Sequence, residues 1–277
     1  MKRRTIDPAT LKHSASLRFL YETVCGRAVL KILTQVWLSK LVGVFMDTSL
    51  SIPLIKPTVK KHGIDMTRFE PCRYRSYNSF FTRQLKQENR EVSSGLVSPC
   101  DGKLTVYPIN DQMELSIKGG TYTLEEILQN WELASEFRGG LCLLFRLTID
   151  DYHRYGYFDD CCEEDYYDIK GILHTVQPIA FRRHKVYKEN SRSVTVLNTV
   201  HFGRAVQIEV GATCVGRIQN HHIPGFHSRG DEKGMFLFGG SAALLLLKKG
   251  VIDEEILLNS QKGLETVVRF GERIGVE

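Results

Sequence analysis

Between residues 15 and 46, apolar side chains recur at steps of three and four: Leu17, Leu20, Val24, Leu30, Leu33, Trp37, Leu41 and Val44. That period is helical. Phe19, Val29, Ile32, Val36, Leu38 and Phe45 widen the stripe, and Gly26 and Gly43 are places where it can break into two or three helices. The pattern fits helices that face a core. It also fits an amphipathic layer lying on lipid, with Arg18, Arg27, Lys31 and Lys40 at its polar edge. Pro53 and Pro57 punctuate the exit, and a helix is predicted around residues 77–85. From about Val97 the period shortens: LVSPCDGKLTVYP, GLCLLFRLT, GILHTVQPIA, SVTVLNTV, RAVQIEVGATCVGRI and GMFLF are β-branched or alternating runs separated by Gly, Pro and Asn. One helix, LEEILQNWE, interrupts them, with Thr123 as N-cap and Glu126 three residues on. Runs of strands with few crossover helices predict an α+β fold, a mostly antiparallel β core (sheet or sandwich) with an N-terminal amphipathic helical layer. The expected division is residues 1–61 for that layer and 62–277 for the core.

Charge sharpens this division. Residues 1–61 hold eleven Lys/Arg against three acids, a balance of +8 within a chain of net +5, so −3 remains for the rest. A basic segment on a slightly acidic body suggests an anionic partner for that segment alone, either nucleic acid or an acidic membrane surface. No nucleic-acid motif supports the first, and the apolar stripe is too wide for it. Seven cysteines without a CxxC pair indicate reduced thiols rather than a disulfide framework or a zinc knuckle. No signal-peptide apolar region follows the basic start, and no apolar run reaches the ~18–20 residues of a spanning helix.

DEKGMFLFGGSAALLLL, residues 231–247, sets a lone hydroxyl between two apolar runs. On its own, Gly-Gly-Ser reads as a hairpin turn. Taken with SYNSFFTRQLK (76–86), SPCDGKL (98–104), DYHRY (151–155), ENSRSV (189–194) and VGATCVGRI (210–218), it belongs to an ordered set. From about residue 15 onward, that set resembles the phosphatidylserine decarboxylases, pyruvoyl-dependent enzymes made as self-cleaving proenzymes. The resemblance implies a cut between Gly240 and Ser241 and conversion of Ser241 to a covalent pyruvoyl group, so the cofactor is pyruvate made from the chain itself. It further implies a Schiff base with the substrate amine, loss of carbon dioxide, and phosphatidylethanolamine as product. Asp101 matches the family's orienting aspartate, and His153 the first histidine of its YHRxH pattern, which serves decarboxylation. Asn190 and Arg192 match an N-x-R element, and Phe80, Phe81 and Arg83 an FFTR element; both are expected at the substrate. The family also suggests a homodimer of cleaved α and β chains, peripheral on the cytoplasmic side of the cell membrane.

The chain departs from the pattern where the second histidine, the base for self-cleavage, should stand: Gly156 is there. His174, on the strand-like segment KGILHTVQP, is the expected replacement, pointing at Ser241 from a neighbouring strand. His221, His222 and His227 have a spacing that could bind metal, but without carboxylate or thiol in register no metal site is expected. His222 is also a candidate lining residue near the cleavage loop, and the acidic run 159–168 reads as a solvated loop. Two other readings stay open: a related pyruvoyl decarboxylase of a soluble amino acid, and a membrane-bound paralogue that does not mature.

Overall fold

A computed structural model describes residues 2–213, 217–239, 241–248 and 250–276. The N-terminal stripe folds as α1 (Ala15–Glu22), α2 (Val24–Leu33) and α3 (Val36–Asp47), followed by α4 (Ile55–His62). The breaks fall at Thr23 and at Thr34–Gln35, and not at the glycines the sequence suggested. Thr23 is extended and its hydroxyl caps α2 by accepting the Gly26 N–H at 2.9 Å. Gly26 serves packing: a Cβ there would lie 1.9 Å from the Phe19 carbonyl oxygen, so only glycine lets α2 fold back on α1. α2 and α3 meet at 67°. α4 ends with Lys60, Lys61 and His62 in its last turn, where cations suit the helix dipole, and with Gly63 at φ +60°.

The body is an α+β arrangement built on a nine-stranded antiparallel sheet. Its strands run, in spatial order, Thr5–Ile6, Glu265–Val268, Gly102–Pro108, Leu141–Leu147, Ser241–Leu247, Gly203–Gly211, Arg192–Thr199, Cys161–Ile169 and Phe226–His227. Ser241–Leu247 lies in the middle and pairs along its whole length with both neighbours, from Ser241↔Leu147 to Leu247↔Leu141 and from Ser241↔Gly211 to Leu247↔Ala205. Its even positions, Ala242, Leu244 and Leu246, enter one core with Val206, Ile208, Val210, Leu128 and Tyr21. Its odd apolar positions, Ala243, Leu245 and Leu247, enter a second core with Leu143, Phe145, Tyr155 and Phe236. Burial on both faces explains a near-continuous apolar run in an antiparallel strand, a signature otherwise associated with parallel sheets. A third cluster joins the N-terminal helices to the body through Met46, Ile64, Phe69, Tyr77, Phe80, Phe81, Tyr152 and Phe270.

Several expectations are corrected. The helix predicted around 77–85 is the single turn Tyr77–Phe81. LEEILQNWE is two short helices, Leu124–Leu128 and Trp131–Ser135, although the Thr123–Glu126 capping box forms as expected. The acidic run is mostly strand, Cys161–Ile169, with Glu164, Asp165 and Asp168 exposed and Asp159, ahead of it, buried. Residues around His174 form no strand, only an isolated bridge between Ile172 and Asn190. The strands on either side of Gly-Gly-Ser do not pair as a hairpin, because the preceding strand, Glu232–Phe236, lies in a separate three-stranded sheet with Ile218–Asn220 and Arg154–Gly156. Truncating Leu245 to Ala at the sheet's centre is expected to cost about 2–5 kcal/mol. Denaturant unfolding should show it as a lower midpoint with an unchanged slope.

Candidate active site

Ser241 is fully buried at the head of the central strand, and its Oγ has no hydrogen-bond partner among the described residues. An unpartnered buried hydroxyl costs free energy and calls for an explanation. Gly240, the other half of the expected cleavage bond, lies outside the described residues. Gly211, opposite Ser241, is fixed by Asn190: its Nδ2 donates to the carbonyls of Gly211 (2.7 Å) and His174 (2.8 Å), while its Oδ1 accepts the His174 N–H (3.0 Å).

His153 is also fully buried. Its Nδ1 lies 2.9 Å from the Asp151 carbonyl oxygen, and its Nε2 has no partner among the described residues. A carbonyl only accepts, so Nδ1 carries the proton and Nε2 presents a bare lone pair. Burial, reinforced by the Arg83 guanidinium, pushes the imidazole down to about 3 and keeps it neutral. Phe81 packs on this ring at 3.9 Å and on Phe238 at 5.8 Å, and the His153 carbonyl accepts the Phe236 N–H at 2.9 Å. The segment leading to Ser241 therefore runs beside His153. Asp101 does not bond a histidine. Its carboxylate accepts the N–H groups of Phe270 (2.9 Å) and Tyr152 (3.3 Å) and faces Arg68 at 3.4 Å, thereby orienting the backbone next to His153.

Gly156 has a steric cause. A Cβ there would meet the Asp231 carbonyl oxygen at 2.5 Å, the Phe270 ring at 3.0 Å and the Gly230 carbonyl oxygen at 3.3 Å. No histidine fits this strand. His174 takes up the other expected place only in part. Its main chain is tied through Asn190 to Gly211, but its ring bonds Tyr21 Oη (3.2 Å) and stacks on His184 (3.8 Å). It makes no hydrogen bond to Ser241.

The remaining candidates hold the scaffold. Arg192 spends its guanidinium on the carbonyls of Ile127, Lys188, Asn190 and Glu126, leaving no free fork for a substrate. Arg83 is buried between the Phe69 and Phe80 rings and donates to the carbonyls of Phe80, Asp150 and Asp151. Phe80 and Phe81 are fully buried, so neither is a surface passage. His221 and His222 pair separately with Glu232 and Glu163, and His227 stacks on Tyr157, so the three do not gather around a common point.

Sequence reasoning missed Lys103 and Arg146. Lys103 Nζ reaches both Asp151 oxygens at 2.8 and 2.6 Å, opposing the burial that raises this carboxyl. Arg146 forms a two-pronged pair with Glu265. Both line a cavity of about 550 Å³ with Lys12, His62, Asp150 and Gly239, the last of which stands two positions before the central strand's serine. Lys103 stood inside the quoted SPCDGKL, but as a lone cation in a strand it carried no signal of its own.

A family model for phosphatidylserine decarboxylase matches residues 77–276. The chain is 46% identical over 268 residues to phosphatidylserine decarboxylase proenzyme 2 of Clostridium acetobutylicum, covering 95% of this chain and 92% of that protein. It is 40% identical over 272 residues to the phosphatidylserine decarboxylase proenzyme of Ruminiclostridium cellulolyticum (94% and 90% covered) and 36% identical over 272 residues to that of Clostridium novyi (94% and 92%). The chain belongs to the phosphatidylserine decarboxylase family, a family of carboxy-lyases.

Gly156→His should not restore a base. With two main-chain oxygens in the way, overpacking should cost about 1–3 kcal/mol. Differential scanning calorimetry should show a lowered melting temperature, and one equal to wild type would show that the strand has room after all.

Proposed function

We propose that this chain is a proenzyme that cuts itself between Gly240 and Ser241 and then decarboxylates phosphatidylserine at the cytoplasmic membrane surface. The observation that carries this reading is the buried hydroxyl of Ser241 at the head of the central strand, without a partner among the described residues. The Ser241 oxygen attacks the Gly240 carbonyl, the amide nitrogen takes a proton, and the peptide becomes an ester. Elimination then breaks the ester C–O bond. Residues 1–240 leave with a carboxylate, and residue 241 becomes dehydroalanine, whose hydrolysis releases ammonia and leaves a pyruvoyl group. The position fits that group: the new N-terminus stays paired with Leu147 and Gly211 on either side, so it is held in place and the two chains remain together. The pyruvoyl ketone supplies the electron sink for decarboxylation.

His153 is the base this geometry favours for self-cleavage. Its Nε2 lone pair is bare, its tautomer is fixed by the Asp151 carbonyl, and the chain approaching Ser241 passes beside it. A weakly basic imidazole suits a reaction that each molecule performs once. The cavity beside Gly239, with Lys12, His62, Lys103 and Arg146 in its wall, suits an anionic headgroup.

The N-terminal helices suit a lipid surface. Val24, Trp37, Leu41, Val44 and Leu50 are 56–75% exposed, with Lys31 and Lys40 among them in the sequence. So many large exposed apolar groups close together in the chain exceed the ordinary surface scatter. No single helix among the described residues is long and apolar enough to cross a membrane.

Intact mass spectrometry of purified wild type should show two chains split after residue 240, and Ser241→Ala a single uncut chain. A wild type that also stays whole would sink the proposal. His153→Asn should slow cleavage by about 10²–10⁴-fold, whereas His174→Ala should leave it within a few-fold; the reverse ranking would reinstate His174. Since only the neutral imidazole is a base, and burial holds His153 neutral down to about 3, cleavage rate should stay flat from about pH 8 to about pH 5 and fall only in stronger acid. An inflection near pH 6.5 would name a different group. Replacing Trp37 and Leu41 together by Glu should cut co-sedimentation with anionic vesicles by at least about tenfold while leaving self-cleavage intact.

A further inference from the structure

His174, His184 and Glu189 are the one group of three metal-ligating side chains brought together among the described residues. Glu189 Oε2 lies 3.7 Å from His174 Nε2 and 3.4 Å from His184 Nδ1. Donors at about 2.0–2.1 Å from a tetrahedral zinc ion lie about 3.3 Å apart, so two edges of such a site are nearly in place. The third is no longer than 4.8 Å. His184, with about a quarter of its side chain exposed, can close it by turning towards His174.

The hydrogen bonds around His174 aim its nitrogen at this point. The Tyr21 oxygen accepts the Thr175 N–H at 3.1 Å and lies 3.2 Å from His174 Nδ1. Nδ1 is thus engaged by Tyr21, and Nε2 is the ring nitrogen that faces the Glu189 carboxylate. The surroundings are those of a supported ligand set: Tyr21 holds the back of His174, and the Lys185 N–H holds Glu189 Oε1 at 3.0 Å.

We propose that His174, His184 and Glu189 form a zinc-type transition-metal site, with a fourth position open to solvent. Two imidazoles and one carboxylate favour zinc over calcium or magnesium, which prefer oxygen donors. Arg182 and Arg183 line an adjacent cavity with Tyr21 and Glu22, and Arg182 faces Glu22 at 3.6 Å. The bound ion would tie α1, through Tyr21, to the loop of His174 and to the Val186–Glu189 turn, whose next residue, Asn190, pins Gly211 opposite Ser241.

Tag-free, metal-stripped full-length protein should be titrated with Zn²⁺ against a chromophoric chelator, with thermal unfolding followed in parallel. One equivalent is expected to bind and raise the melting temperature, and Co²⁺ in its place should give the visible absorption of a four-coordinate site. His184→Ala and Glu189→Gln should each weaken binding by at least about tenfold. Both side chains are partly exposed and Glu189→Gln preserves shape, so circular dichroism should show an unchanged fold. Wild type that takes up no stoichiometric zinc, or variants that bind it as tightly as wild type, would overturn the proposal.

Discussion

Everything near Ser241 depends on the double pairing of Ser241–Leu247 inside the nine-stranded sheet. All seven residues are buried, with a paired strand on each side and a core on each face. A one-residue slip would exchange the two cores and drive Ser241 to the opposite face, so the register is set by every apolar contact along the strand. That constraint places a hydroxyl at a defined depth with no hydrogen bond to hold it among the described residues. Under the proposed self-cleavage the strand would stay anchored downstream of the cut and keep its whole ladder.

Charge is buried around this strand in matched sets. Lys233 and Glu209 are both fully buried and pair at 2.9 and 3.0 Å; Arg146 pairs with Glu265, and Lys103 with Asp151. Such pairs seldom add net stability, since desolvation consumes most of the attraction. Their effect is positional, because breaking one strands a charge in the interior. Lys103–Asp151 joins the strand after Asp101 to the turn before His153, and Lys233–Glu209 joins the strand leading towards Ser241 to the strand beside it. The cost is spent where misplacement would matter most to the chemistry.

The fold class was readable because the apolar period changes near Val97 and because the motif set keeps its order along the chain. Finer features were lost where tertiary context overrides local pattern. KGILHTVQP looks like a strand, yet its hydrogen bonds go to Asn190 and Tyr21 instead of a ladder. The acidic run looks like a loop, yet it is a strand that keeps Glu164, Asp165 and Asp168 in water and ties Glu163 to Tyr157 and His222. Helix breaks were assigned to glycines on propensity, while the structure uses Thr23 as a cap and keeps Gly26 for close approach. At the site, residue types were legible and their roles were not. Nothing in ENSRSV distinguishes an arginine that clamps a substrate from one that donates to four main-chain carbonyls.

Gly156 shows why a missing residue has to be read together with its surroundings. As a gap in a motif it suggested either a lesion or a substitute elsewhere. In the structure it is a tight strand crossing in which backbone oxygens occupy the space of a side chain. Its loss of a histidine goes with an Asp101 that accepts main-chain N–H groups in place of an imidazole, and with a His153 whose outer nitrogen is left bare. These features are consistent with one another: without the second ring, the aspartate orients the turn that carries the first, and the first has no competing partner. The departure is therefore built into the packing on both sides of the strand.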